Sequence, residues 1–218
     1  MNDDIKIIDD LLPKSYQDAI EQMVFSEEFD WHYVSDVTDQ TYKNVQGYRS
    51  LDGFSHLFLG PKTSSKYLNF VMPVLYHAVN ELGMPFDQSK LWRARVGLMF
   101  QQRQGDPTYN NPHVDHIMPH WTGLYYINDN DGPTYIFDQK VINVPFSKRN
   151  DAGILDYVNN TEMTVAQQVE PKKGRFVIFN GYRFHSSSRP INSDKRAVIT
   201  FNWKSTEQPG QVNNGQLS

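Results

Sequence analysis

His113 and Asp115 are separated by one residue, Val114, in a stretch that reads as a short strand, Pro112 to Asp115, after the turn-like run Tyr109-Asn110-Asn111. Side chains alternate along a strand, so an imidazole and a carboxylate at i and i+2 face the same way and both can reach one metal ion. His185 follows a candidate strand, Arg175 to Asn180, and the Gly181 turn, and it comes to the end of a neighbouring strand if the second half closes on itself. Two imidazoles and one carboxylate on one face make the donor set that suits non-haem Fe(II), with coordination positions left open. The chain has no cysteine, which excludes thiolate nucleophiles, thiolate metal sites and disulfides. Any metal must therefore be held by nitrogen and oxygen. A lone His-x-Asp also arises by chance, so the weight falls on what surrounds it.

Arg196 heads an apolar strand, Arg196 to Trp203, eleven residues after His185. Alternation puts Arg196, Val198, Thr200 and Asn202 on one face. A guanidinium buried in a barrel is costly unless an anion meets it, so Arg196 predicts either a structural Asp or Glu partner or an anionic ligand. Arg189 is the competing anchor, but it precedes Pro190 in an apparent loop and reads as a surface or rim residue. Pro119 breaks the helix that His116 and His120 would need to act as an i, i+4 pair, so both read as loop residues at the rim of a pocket. His32, His56 and His77 carry no partner pattern. Ser186-Ser187-Ser188 lacks the glycine-framed elbow of a serine nucleophile and reads as turn serines.

The elements that must position these residues are β-rich. Candidate strands run Trp92 to Gln101, Pro112 to Asp115, Gly123 to Asn128, Thr134 to Asp138, Glu162 to Val169, Arg175 to Asn180 and Arg196 to Trp203. Two helical patterns precede them. One starts at Pro13 and runs to about Phe25; the other spans Tyr67 to Leu82, stops at Gly83, and carries Pro73 as a predicted kink or split. Residues 26 to 62 read as irregular with one or two short strands. The expectation is a mainly β (α+β) fold, a sandwich or barrel core with the helices packed outside. Residues 1–204 form one domain on this reading, with helical support over about 1–90, a β core over about 91–204, and a flexible tail at 205–218.

Composition narrows the function classes. Thirteen Gly, twelve Pro and 39% hydrophobic residues are ordinary for a globular protein, which excludes fibrous and low-complexity readings. The net charge of −4 and the lack of a Lys/Arg run disfavour a nucleic-acid partner. No apolar stretch approaches the roughly 18 residues of a membrane helix, and the start MNDDIKIIDD is acidic where a signal peptide is basic, so the expected location is cytoplasmic. The long connections 139–170, with Lys148 and Arg149, and 103–111 are candidates for substrate contact.

The ordered motifs PHVD (112–115), GLYYIND (123–129), DGPTYIF (131–137), VEPKKGRFVIF (169–179), FHSSSRP (184–190) and KRAVITFNW (195–203) resemble the Fe(II)- and 2-oxoglutarate-dependent oxygenases, particularly their prolyl-4-hydroxylase-like branch. The opening IKIIDDLLPKSYQDAI looks like their common lead-in. The resemblance implies a double-stranded β-helix of the jelly-roll or cupin kind with the metal at its mouth. It implies His113, Asp115 and His185 as iron ligands and Arg196 as the residue that binds the distal carboxylate of 2-oxoglutarate. Tyr126 falls where relatives place a tyrosine bonded to the cosubstrate, and Thr200 would be a further donor to the same carboxylate. Asp131-Gly132-Pro133-Thr134 stands where many relatives have Gly-Gly-Glu-Thr, which loosens any transfer of substrate. The implied reaction is hydroxylation of a C–H bond with release of succinate and CO₂. A peptidyl proline is the first candidate substrate, and a free amino acid or small metabolite the second. From another class, a metal-binding cupin-like isomerase or non-catalytic binding module would keep the three metal ligands and have no need of Arg196.

Overall fold

The computed structural model describes residues 4–37 and 51–205; the expected flexible tail, apart from Ser205, lies outside them. In chain order the elements are β1 (Ile5–Ile8), α1 (Lys14–Val24), β2 (His32–Val34), β3 (Gly53–Gly60), β4 (Thr63–Ser64), α2 (Leu68–Glu81), β5 (Leu91–Phe100), β6 (His120–Tyr126), β7 (Thr134–Lys140), α3 (Asp151–Asn160), β8 (Val165–Val169), β9 (Phe176–Asn180), β10 (Arg183–Ser187) and β11 (Lys195–Lys204). The major sheet has the order β1-β9-β6-β11-β5-β3-β2, with β4 on β3, and a minor sheet has the order β10-β7-β8. Every pairing is antiparallel. The core is a jelly roll, as the motifs implied.

The outer face of the major sheet makes the main core. Ile20 and Val24 of α1 and Val71, Val74, Leu75 and Ala78 of α2 pack on Tyr125, Phe176, Ile178, Ile199, Phe201 and Trp203. Burying each aliphatic side chain of this kind contributes roughly 1.5–3 kcal/mol. A second apolar set, Leu124, Ile136, Val177, Phe179 and Val198, lies between the two sheets. Strand β9 is buried along its whole length, which is why FVIFN is an unbroken apolar run ending in one Asn.

Several expectations change. Pro73 does not split α2; it sits in the second helical turn, where only the bond to Asn69 is forfeited and the apolar face beyond it still packs. Residues 26 to 62, read as irregular with one or two short strands, hold the short β2 and a longer β3, an eight-residue strand inside the major sheet, and β1 pairs with β9, so the N-terminal part supplies strands as well as helices. Residues 112–115 are not a regular strand: a single bridge between His113 and His185 is what the pairing amounts to. The segment 139–170 is no loose cover. It contains α3, whose start is capped by Asn150 Oδ1 accepting from the Gly153 N–H at 2.9 Å. Gly153 is required there because a Cβ would lie 2.1 Å from the Lys148 carbonyl oxygen. Ile154 and Val158 of α3 then pack with Val114, Phe137, Val141 and Phe184 on the outer side of the minor sheet.

Candidate metal centre

The bridge that replaces the expected strand sets the geometry. His113 N–H donates to the His185 carbonyl at 3.0 Å, and His185 N–H returns a bond to the His113 carbonyl at 2.9 Å. The two imidazoles therefore lie side by side, ring centroids 4.5 Å apart. Val114 and Phe184 are turned into the apolar cluster behind, which leaves His113, Asp115 and His185 on the cavity side. Donor atoms of these three residues all lie within 4.8 Å of one another. His185 Nε2 is 3.7 Å from Asp115 Oδ2.

The tautomers follow from the backbone. Nδ1 of His113 sits 3.2 Å from the Asn111 carbonyl and Nδ1 of His185 sits 3.3 Å from the Arg183 carbonyl. A carbonyl can only accept, so Nδ1 carries a proton in each ring, and in the neutral ring Nε2 keeps its lone pair for a metal. Burial, aided by His113, pushes His185 down to about 4, so it is a neutral donor at neutral pH. Burial alone would raise Asp115, but the Arg93 guanidinium opposes it, and the carboxyl is held well below the usual range. The centre thus brings together two imidazoles and one carboxylate, a donor set that fits Fe(II).

Reading single strands did not reveal what holds Asp115. Arg93 Nη2 donates to its Oδ1 at 2.5 Å, and Asn202 Nδ2 donates to its Oδ2 at 2.8 Å. Thr122 Oγ1 lies 3.3 Å from the same Oδ2, and Arg93 Nε donates to Asn202 Oδ1 at 2.8 Å. Asn202 faces Arg93 on β5 and Thr122 on β6 in register, so one cross-strand layer carries all three. The signal was available in the alternation of Arg93, Arg95, Gly97 and Met99 along β5.

Arg196 lines the same cavity and is 5% exposed. Its Nε donates to the Gly132 carbonyl and its Nη2 to Thr134 Oγ1, both at 2.8 Å. No carboxylate stands within ion-pairing distance of it among the described residues, so of the two partners the sequence allowed, the structural acid is not the one present. Thr200 is half-buried on the cavity wall, and Gly97 leaves open space where a Cβ would project. The Tyr126 hydroxyl is fully buried and donates to Thr134 Oγ1 at 2.7 Å, reaching the cavity through that residue. Thr134 was not singled out in the sequence.

The competing residues fall elsewhere. Arg189 is buried, not at the surface, and Asp52 Oδ1 pairs with it at 2.6 Å. His120 is no rim residue: it opens β6, is 1% exposed, and rests on Gly181, with Nδ1 2.7 Å from the Met118 carbonyl. His116 is exposed beside Trp92, with ring centroids 5.2 Å apart, and lines a separate surface pocket with Met118 and Pro119 rather than the cavity of the metal donors. His56 bonds the Asp30 carbonyl and Ser65. Ser186 and Ser188 donate to the carbonyls of Asn110 and Pro133. Arg149 is spent on the Val144 and Ile142 carbonyls of its own loop, while Lys148 is exposed.

Fold and site together define a jelly roll with a His-Asp-His cluster able to hold a metal ion. The family model described as "Putative 2OG-Fe(II) oxygenase" matches residues 99–202. Solved structures share the fold. An oxidoreductase of the 2OG-Fe(II) oxygenase family from Burkholderia pseudomallei is 8% identical, with 93% of this chain and 86% of that chain covered and a TM-score of 0.61. A prolyl hydroxylase from Trichoplax adhaerens, in complex with a hypoxia inducible factor peptide fragment, is 15% identical over 93% and 84% at 0.56. The α-ketoglutarate-dependent epimerase SnoN from nogalamycin biosynthesis is 14% identical over 98% and 87% at 0.58. No curated protein matches the sequence. Motifs, family model and fold agree in their similarity to 2OG-Fe(II) oxygenase-type enzymes, and the His113, Asp115 and His185 donor set fits the iron that such enzymes use with 2-oxoglutarate. No helix among the described residues is long and apolar enough to cross a membrane.

Proposed function

We propose that the enzyme hydroxylates a C–H bond of its substrate, with Nε2 of His113, Nε2 of His185 and the Asp115 carboxylate holding Fe(II), and Arg196 receiving the distal carboxylate of 2-oxoglutarate. The observation that carries this is Arg196 itself. A guanidinium this deeply buried with no carboxylate partner among the described residues calls for an anion from outside, and its cavity is the one that holds the three metal donors. Burial lowers the Arg196 pKa, a cost that an arriving carboxylate offsets. Thr134 and Thr200 supply neutral donors on the same wall, Tyr126 holds Thr134, and Gly97 leaves room for the ligand. Iron with bound 2-oxoglutarate supplies the oxidation, in which 2-oxoglutarate becomes succinate and CO₂ and one oxygen atom of O₂ enters the substrate C–H bond. The chain's own part is to orient that bond and keep the cavity walls dry.

A peptidyl proline is the favoured substrate, supported by the prolyl-4-hydroxylase-like motifs and by similarity to a prolyl hydroxylase that binds a peptide. A free amino acid or small metabolite is the second reading, supported by fold neighbours such as the epimerase. We also read residues 1–204 as one domain, because the pairing of β1 with β9 ties the N-terminal part into the core sheet, and we place the activity in the cytoplasm.

The test is anaerobic titration of the Fe(II)-loaded protein with 2-oxoglutarate, followed by incubation in air with proline-containing peptides. A visible charge-transfer band that is lost in His185→Ala supports the site. A 16-dalton gain on peptide, matched mole for mole by succinate, supports the reaction. Iron binding with no band would move the cupin-like alternative forward.

A further inference from the structure

We propose that Arg93 is a positioning residue that grips one oxygen of Asp115 and so restricts this carboxylate to a single donor atom toward the metal. The inference rests on the metal centre proposed above. Asp115 presents Oδ2 toward His185 at 3.7 Å, while Oδ1 is taken by Arg93 Nη2 at 2.5 Å. Arg93 cannot swing away freely, because its Nε is bonded to Asn202 Oδ1 at 2.8 Å. Asn202 in turn donates to Asp115 Oδ2 at 2.8 Å and lies 3.1 Å from Thr122 Oγ1. Asn202 and Thr122 are fully buried, and all three residues sit on paired strands in register.

The chemistry gives this clamp a purpose. An unrestrained carboxylate can offer both oxygens to a divalent ion, and a second oxygen would occupy a position that a two-armed cosubstrate needs. A charge-assisted bond to a guanidinium is the strongest hold a side chain can place on the other oxygen, and partners of metal ligands commonly fix their orientation. Arg93 also sets its positive charge against the carboxylate, so the centre gives up some attraction for the metal in exchange for a fixed geometry.

The experiment compares wild type, Arg93→Leu and Arg93→Lys, each checked for folding by circular dichroism. Anaerobic Fe(II) affinity and the 2-oxoglutarate charge-transfer band are then measured. Arg93→Leu should still bind Fe(II), with its 2-oxoglutarate Kd raised at least tenfold and the band shifted or weakened. Arg93→Lys, which keeps a cationic donor, should restore most of the band. An Arg93→Leu protein with unchanged Kd and band would overturn the inference while leaving the metal centre standing. A wild-type protein that binds no Fe(II), or shows no band, would overturn both. If Arg93→Leu does not fold, Arg93→Lys with a band and Kd no closer to wild type than those of Arg93→Gln overturns the inference.

Discussion

Thr134 Oγ1 accepts from Arg196 Nη2 at 2.8 Å, and the same oxygen accepts the Tyr126 hydroxyl at 2.7 Å. A hydroxyl has two acceptor lone pairs and one hydrogen. With both lone pairs engaged, the Thr134 O–H remains as a donor, and Thr134 lines the cavity. Thr134→Val keeps the shape and removes that donor, so 2-oxoglutarate should bind about fivefold more weakly, in line with a net hydrogen bond of about 1 kcal/mol. Tyr126→Phe acts one step removed and should cost less. Both are read from the anaerobic titration, and equal losses in the two variants would show that Tyr126 bonds the cosubstrate directly.

Arg196 should matter more than either. Truncating one partner of a buried, hydrogen-bonded charge pair costs about 2–5 kcal/mol, so Arg196→Gln is expected to weaken 2-oxoglutarate binding by roughly 30-fold or more while Fe(II) affinity stays near wild type. Calorimetry with each ligand separately checks the split. Loss of metal affinity in this variant would mean that Arg196 supports the fold of the cavity rather than the anion.

These two residues mark how far the sequence could be read. Arg196 was legible because β11 is a long apolar strand in which one charge stands out, and His113 with Asp115 was legible from spacing alone. Thr134 and Arg93 were not, because their roles depend on partners brought together by cross-strand register: Thr134 meets Arg196 across 62 positions, and Arg93 meets Asp115 across 22. Strand β10 escaped notice because RFHSS has no apolar alternation; its histidine faces the cavity and its Phe faces the opposite side. Helix α3 was hidden in a long connection because its start rests on a local cap at Asn150 rather than on a long apolar period. What looked like a cover for substrate is a support behind the metal ligands.

That support gives a separate test. Phe184 is fully buried next to His185 in sequence and stacks on Tyr157, ring centroids 5.8 Å apart. Phe184→Ala leaves a cavity behind the bridge that joins His113 to His185, with an expected cost of about 3–5 kcal/mol in urea unfolding. Because the same bridge aligns the two imidazoles, Fe(II) affinity should also fall, by roughly tenfold or more, as for other changes behind metal ligands. A destabilised variant with unaltered Fe(II) affinity would show that the bridge holds its geometry without α3.

Two buried histidines give the metal-free protein a defined pH dependence. His120 and His185 are each pushed down to about 4, burial being the main cause for both. In the unfolded chain they titrate near 6.5. Between these values the unfolded chain binds protons that the fold refuses, so stability is full above about pH 6.5, declines as pH falls, and levels off below about pH 4. The gap of about 2.5 pH units amounts to about 3 kcal/mol per histidine. Depressed carboxylates work in a lower window: Asp131, drawn down to about 2 by the Asn192 and Ser193 backbone bonds that outweigh its desolvation, contributes stability above about pH 4 that is lost as pH falls toward 2. Urea unfolding at pH 7, 6 and 5 in the presence of a chelator should therefore show a decline assignable to the histidines, and His120→Gln should remove about half of its slope. An unchanged slope in His120→Gln would mean that His120 is already protonated in the fold at pH 5.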